Sequence, residues 1–162
     1  MNLPRDLERI KRKVPYMHRH QAYLMGVNFH SILLHPYIVV SLDEDHSEII
    51  KNEYEGLYDI LVGNNKYSDF QVGDCPSTVF SGHAAVWFAD MVGFKKVILC
   101  GFDCYQSNRG HWHSYPDWPP RQHNHTEERA RSEWEGVKQT LIDPSAISVV
   151  SGVLQEVFQP WE

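Results

Sequence analysis

A chain of 162 residues with 42% apolar side chains can bury one core of ordinary size, so a single domain over residues 1–162 is the expectation. Its formal net charge of −6 argues against a nucleic-acid protein built on a basic face, while leaving local binding of a nucleotide open. No apolar run approaches the roughly 20 residues that cross a bilayer, and 'MNLPRDLERIKRKVP' lacks the apolar stretch of a signal peptide, so no membrane span and a cytoplasmic location are expected.

Residues 1–15 open with Leu3, Leu7 and Ile10 at helical spacing among charges, and Pro15 stops the pattern, which predicts an amphipathic helix. 'AYLMGVNF' (22–29) and 'YIVVSLD' (37–43) are short apolar runs bounded by polar, Pro or Gly residues, as in strands covered on both faces. From Glu44 to Gly56, Ile49, Ile50 and Tyr54 recur at helical spacing, and 'DILVG' (59–63) predicts a third strand. The turn-rich 'NNKYSDFQVGDCPST' then leads to 'SGHAAVWFADMVGF', a helix with a small-residue apolar face that Gly93 ends. 'KKVILCGFD' (95–103) has the strongest buried-strand pattern in the chain. After a His- and Trp-rich loop at 104–125, 'TEERARSEWEGVKQTL' has helical composition, with Glu128 only approximating a capping box to Thr126. 'AISVVSG' (146–152) predicts a strand, and 'VLQEVF' fits a last helical turn or an edge strand. Strands alternating with helices predict an α/β, Rossmann-like three-layer sandwich around a mostly parallel sheet of about five strands. The three cysteines are odd in number, and Cys100 ends a buried run, which speaks against a disulfide framework.

In such sheets ligands gather beyond the carboxyl ends of the strands. Asn28, Asp43, Ser81 with Gly82, and Asp103 fall there. Ser81 and Gly82 open a helix whose first-turn amides can hold an anion, although serine is also an ordinary helix cap. Asp103 can bind a hydroxyl or assist proton transfer, or simply cap the next turn. His111, His113, His123 and His125 crowd the following loop. They match no zinc spacing, and one histidine acting as a base asks less of the loop than a metal does.

The stretch 'SGHAAVWFADMVGFKKVILCGFDCYQ' resembles the bacterial sialyltransferases of glycosyltransferase family 42 and the related 6-hydroxymethylpterin diphosphokinase-like (DUF115) group, in which Ser-Gly, a small-residue helix and a strand ending in Gly and Asp follow one another. Small phage proteins of this kind are common. The resemblance implies that Ser81 and Gly82 lie against a nucleotide-sugar donor of CMP type, that Asn28 contacts the nucleotide, and that Tyr105 bonds the donor phosphate. It also implies that His123 or His125 is the general base, that His111 and His113 are less well placed, and that no metal is needed. The pterin-type relatives imply ATP with magnesium instead. The family begins with a strand and a glycine-rich turn, and 'MNLPRDLERIKRK' resembles the helix that follows them, so a member lacking that turn is the expectation.

Three functions follow as expectations: a nucleotide-dependent, glycosyltransferase-like transferase acting on a small-molecule nucleotide or nucleotide-sugar; a non-catalytic phage interaction protein keeping the fold; and a metal-dependent hydrolase built on the histidine loop. For a phage-encoded protein the location is the host cytoplasm, and a homo-oligomer is compatible with the sequence.

Overall fold

The computed structural model describes residues 23–73, 80–102 and 127–162, with the backbone alone for Phe29 and His30. The expected helix at 1–15, the loop at 104–125, and Asp103, Tyr105, His111, His113, His123 and His125 lie outside the described residues. The chain divides near Val92 into two compact units, each described by itself.

In the unit before that division, β1 (Met25–Val27), a 3-10 turn (Phe29–Leu34), β2 (Ile38–Val40), α1 (Glu44–Glu53), β3 (Ile60–Gly63), β4 (Phe70–Gln71) and α2 (Ser81–Met91) follow in order. The four strands form one parallel sheet in chain order, with Met25 opposite Ile38, Ile38 opposite Ile60 and Val62 opposite Phe70. Successive side chains of a strand point to opposite faces. Ile38, Val40 and Val62 therefore pack with Ala84, Ala85 and Phe88 of α2, while Val39 and Leu61 pack on the other face with Ile32 of the 3-10 turn and Ile50 of α1. Helical layers thus cover both faces, and the small Ala84 and Ala85 bring α2 close to the sheet.

The β3–β4 connection, 64–69, is shorter than the dozen or so residues usual between parallel strands. Polar bonds make it workable. Asp69 N–H donates to the Leu61 carbonyl at 2.8 Å, and Leu61 N–H donates to Asp69 Oδ2 at 2.9 Å. Lys51 Nζ meets Asp69 Oδ1 at 2.8 Å. Burial by itself raises the Asp69 carboxyl, but the Lys51 hydrogen bond and the Leu61 amide outweigh it and hold the group below the ordinary carboxylate range. The same hydrogen bond raises Lys51, and burial raises the Tyr58 hydroxyl beside it.

In the other unit, β5 (Val97–Leu99), α3 (Glu127–Thr140), a 3-10 turn (Pro144–Ala146), β6 (Ile147–Val149), a second 3-10 turn (Val153–Glu156) and β7 (Gln159–Pro160) follow in order. The strands form a parallel sheet in the order β5-β6-β7. Ala130, Trp134 and Val137 form the buried stripe of α3, at the spacing of one helix face. Trp134 stands edge-on to Phe102 and Phe158, with ring centroids 5.6 Å and 6.0 Å away. Lys138 Nζ donates to the Val157 carbonyl at 2.6 Å, anchoring α3 to the last turn.

The α/β class holds, and the helices expected from Glu44, from Ser81 and from Thr126 lie within a few residues of their predicted bounds. The single sheet of about five strands does not: the described strands form one sheet of four and one of three. Two of them, β4 and β7, are two-residue strands with exposed side chains, so no apolar run announces them. The strand expected over 22–29 ends at Val27 because Asn28 turns to positive φ and a 3-10 turn begins. 'VLQEVF' contains a 3-10 turn, and the strand follows it at Gln159. Among the described residues no helix is long and apolar enough to cross a membrane.

Candidate functional site

All four strands of the first sheet run the same way, so their carboxyl ends share one edge. Beyond them lie Asn28 after β1, Ser41 to Asp43 after β2, Asn64 and Asn65 after β3, and Gly73 after β4. Both helices of this unit also begin there. α1 starts directly after β2, and the first residue of α2, Ser81, accepts a hydrogen bond from Leu42 N–H on its hydroxyl at 3.0 Å. The structure thus brings Asn28, Asp43, Ser81 and Gly82 to the edge on which the sequence had placed them.

Asn28 carries two anomalies. Its φ of 59° with ψ of 174° is a conformation found almost only in glycine, and it costs on the order of 1–3 kcal/mol in other residues. Backbone bonds enforce it: Asn28 N–H donates to the Val40 carbonyl at 3.0 Å, while the Asn28 carbonyl accepts from Ser31 N–H at 3.2 Å and from Ser31 Oγ at 2.7 Å. Gly26 is part of the device, since a Cβ there would fall 2.2 Å from Ser31 Oγ. The side-chain oxygen Oδ1 of Asn28 is buried and has no hydrogen-bond partner. A strained backbone that delivers an unsatisfied acceptor to a ligand edge is poised to receive a donor.

Next to it the edge is rigid and satisfied. Ser47 Oγ accepts from Asn65 Nδ2 at 2.8 Å and sits 3.0 Å from the Asp43 carbonyl and 3.3 Å from the Ser41 carbonyl. Asn65 Oδ1 accepts from Tyr67 N–H at 3.1 Å and Ser68 Oγ at 3.3 Å. Gly63 permits this closeness, because a Cβ there would meet the Ser41 carbonyl oxygen at 2.2 Å. These residues support the edge and hold its carbonyls inward.

The two helix starts differ in charge. α1 has Glu44 and Asp45 in its first turn, with Asp43 at its cap position, whereas the first turn of α2 has no acid. The first-turn amides of a helix have no partner within it and attract anions. At α1 the carboxylates repel an anion and favour hydroxyl donors; the first turn of α2 has no carboxylate to oppose a phosphate. Ser81 is not the cap of α2, as serine at a helix start suggests: Phe80 takes that position, and the Ser81 hydroxyl ties α2 to β2 instead.

The sequence reading did not single out His46. Its Nδ1 lies 3.4 Å from Asp43 Oδ2, and its side chain is mostly buried. The Asp-x-x-His spacing was present in the sequence, within what read as an ordinary polar helix start. At the opposite, amino edge a shallow cavity of about 280 Å³ is lined by His35, Tyr37, Leu57, Tyr58 and Asp59, among others. None of the sequence-derived candidates borders it. Strain, an orphaned acceptor and a helix start with no acid in its first turn coincide at the carboxyl edge. Among the described residues no cluster of three or more His, Cys, Asp or Glu could hold a metal ion. Compared with protein-family models, curated proteins and solved structures, the chain matches none of them.

Proposed function

We propose that the protein is a nucleotide-dependent transferase with a Rossmann-like fold, most similar in type to the sialyltransferase-like glycosyltransferases, and that it works in the cytoplasm on a small-molecule nucleotide-sugar. The observation that carries this reading is Asn28, held in a glycine-like conformation with its Oδ1 buried and unpartnered at the carboxyl edge of a parallel sheet. A nucleobase amine or ribose hydroxyl is a donor such an acceptor can receive; cytosine has the amine, which fits a CMP-type donor. The phosphate goes to the acid-free start of α2 at Ser81 and Gly82. Tyr105 assists the leaving phosphate and His123 or His125 is the general base, as the resemblance implies, and Asp103 is a strand-end carboxylate able to assist proton transfer. ATP with magnesium, which the pterin-type relatives imply, is the less favoured donor.

The test is calorimetry and thermal shift with CMP, CMP-sugar, UDP-sugar and ATP, each with and without magnesium. A ligand at 100 times its Kd adds about 2.7 kcal/mol to the stability of the folded state. The expected result is stabilisation by CMP-type ligands that Asn28→Ala abolishes. Absence of binding by every nucleotide overturns the proposal and favours a non-catalytic interaction protein. The metal-hydrolase reading rests on the 104–125 loop, and stoichiometric zinc, manganese or nickel in protein purified without an affinity tag would favour it.

A further inference from the structure

We propose that the cavity at the amino edge of the first sheet is a second ligand site, for a primary alkylammonium such as a diamine, independent of the nucleotide edge. Its walls are two turns tied to each other. The turn before β2 ends at His35, whose φ of 49° redirects the chain, and the turn before β3 bends at Gly56, at φ 91°. The Tyr37 carbonyl accepts from both Asp59 N–H and Ile60 N–H, each at 3.1 Å, and this fork joins the two walls of the cavity of about 280 Å³.

Three features of the lining choose the ligand. Tyr58 lines the cavity, and its hydroxyl is buried with no hydrogen-bond partner, so an N–H donor satisfies it. Tyr37, 43% exposed and tilted against Tyr23 with ring centroids 5.1 Å apart, gives an aromatic surface that attracts a cation. The exposed Asp59 adds a carboxylate to the same lining. The charges around Tyr58 agree with a cationic guest: burial raises its hydroxyl above the ordinary range, Lys51 lowers it, and Asp69 and Glu55 raise it. Lys51 is met by Asp69 at 2.8 Å, so the carboxylates of Glu55 and Asp59 set the sign of the edge. Residues 23–92 carry ten Asp and Glu against two Lys and no Arg, a field that favours cations over anions. A primary ammonium meets all three demands, with N–H for the hydroxyl and the carboxylate and charge for the ring, while its alkyl chain suits the half-exposed Leu57. A neutral diol lacks the charge, and a quaternary ammonium lacks the N–H.

The experiment is an NMR titration of the full chain at pH 8, above the ordinary histidine range, in about 150 mM salt, which screens loose attraction to exposed carboxylates. The probes are 1,4-diaminobutane, 1,4-butanediol and tetramethylammonium. The diamine should shift the amide resonances of Leu57 and Asp59 to saturation with a Kd of about 1 mM, and the diol should leave them unmoved. Asp59→Asn, a change at an exposed position that the fold tolerates, should weaken the diamine about fivefold. Tyr37→Leu, which keeps the apolar bulk and removes the ring, should weaken it about threefold. Tyr58→Phe should weaken the diamine about fivefold and leave tetramethylammonium unchanged, since only the diamine has an N–H to give the hydroxyl. Shifts that never saturate or that fall mainly on α1, a diol that binds as tightly as the diamine, or diamine affinity unchanged in either Asp59→Asn or Tyr58→Phe would overturn the site.

Discussion

The most informative single substitution is Asn28→Gly. A structural asparagine at a turn should lose stability when replaced by glycine; Asn28 should gain it. Its φ of 59° with ψ of 174° is free to glycine, which relieves about 1–3 kcal/mol of strain. Removing the buried, unpartnered Oδ1 relieves a desolvation penalty of about 1–3 kcal/mol more. Against this stands the greater freedom of glycine in the unfolded chain, about 0.4–1 kcal/mol, and the packing lost with the side chain. The net expectation is a gain of about 1–3 kcal/mol, read as a rise of about 1 M in the urea midpoint at unchanged m. Asn28→Ala separates the two terms, since it removes the orphaned oxygen but keeps the strain, and should fall between wild type and Asn28→Gly. Both variants should lose the stabilisation given by CMP, the trade of stability against binding expected where strain serves a ligand. The reasoning is refuted if Asn28→Gly is less stable than wild type and Asn28→Ala less stable still, which would mean that the side chain holds the turn together.

Other substitutions test the frame around that edge. Gly63→Ala places a Cβ 2.2 Å from the Ser41 carbonyl and 2.6 Å from Ser68 Oγ, and should cost about 1–3 kcal/mol in chemical denaturation. Ser81→Ala leaves the Leu42 amide without its acceptor and should cost about 1–3 kcal/mol, much of it recovered in Ser81→Thr, which keeps the hydroxyl. Because Asp69 titrates below its ordinary value of 3.8, the stability it adds is fully present above that pH and is lost as pH falls through the lower folded value; acid titrations of Asp69→Asn followed by circular dichroism should lack this part of the acid limb. Trp134→Ala empties the space between Phe102 and Phe158 and should cost about 3–5 kcal/mol, with loss of α3 signal at lower denaturant.

What the sequence revealed and what it hid divide along one physical line. Helices α1, α2 and α3 and strands β2, β3, β5 and β6 bury side chains in a regular rhythm, and their rhythm is written in local residue types. β4 is held by Asp69 reaching back to the Leu61 backbone and to Lys51, bonds between positions that no periodicity links, so its stretch read as turns. The same holds for the sheets: pairing joins residues far apart in the chain, and two-residue strands such as β7 add to a sheet without adding an apolar run. Ser81 was legible as a helix-start residue, but its partner, Leu42 N–H, lies 39 positions away, and only the fold discloses that it joins α2 to β2. Asn28 shows the limit most clearly. Its place after a strand marked it as a ligand-edge residue, while its glycine-like backbone and stranded oxygen depend on Val40 and Ser31 gripping it from two sides. A sequence optimised for stability alone would put glycine there. That asparagine stands in its place is the local inconsistency expected where binding, rather than folding, determines the residue.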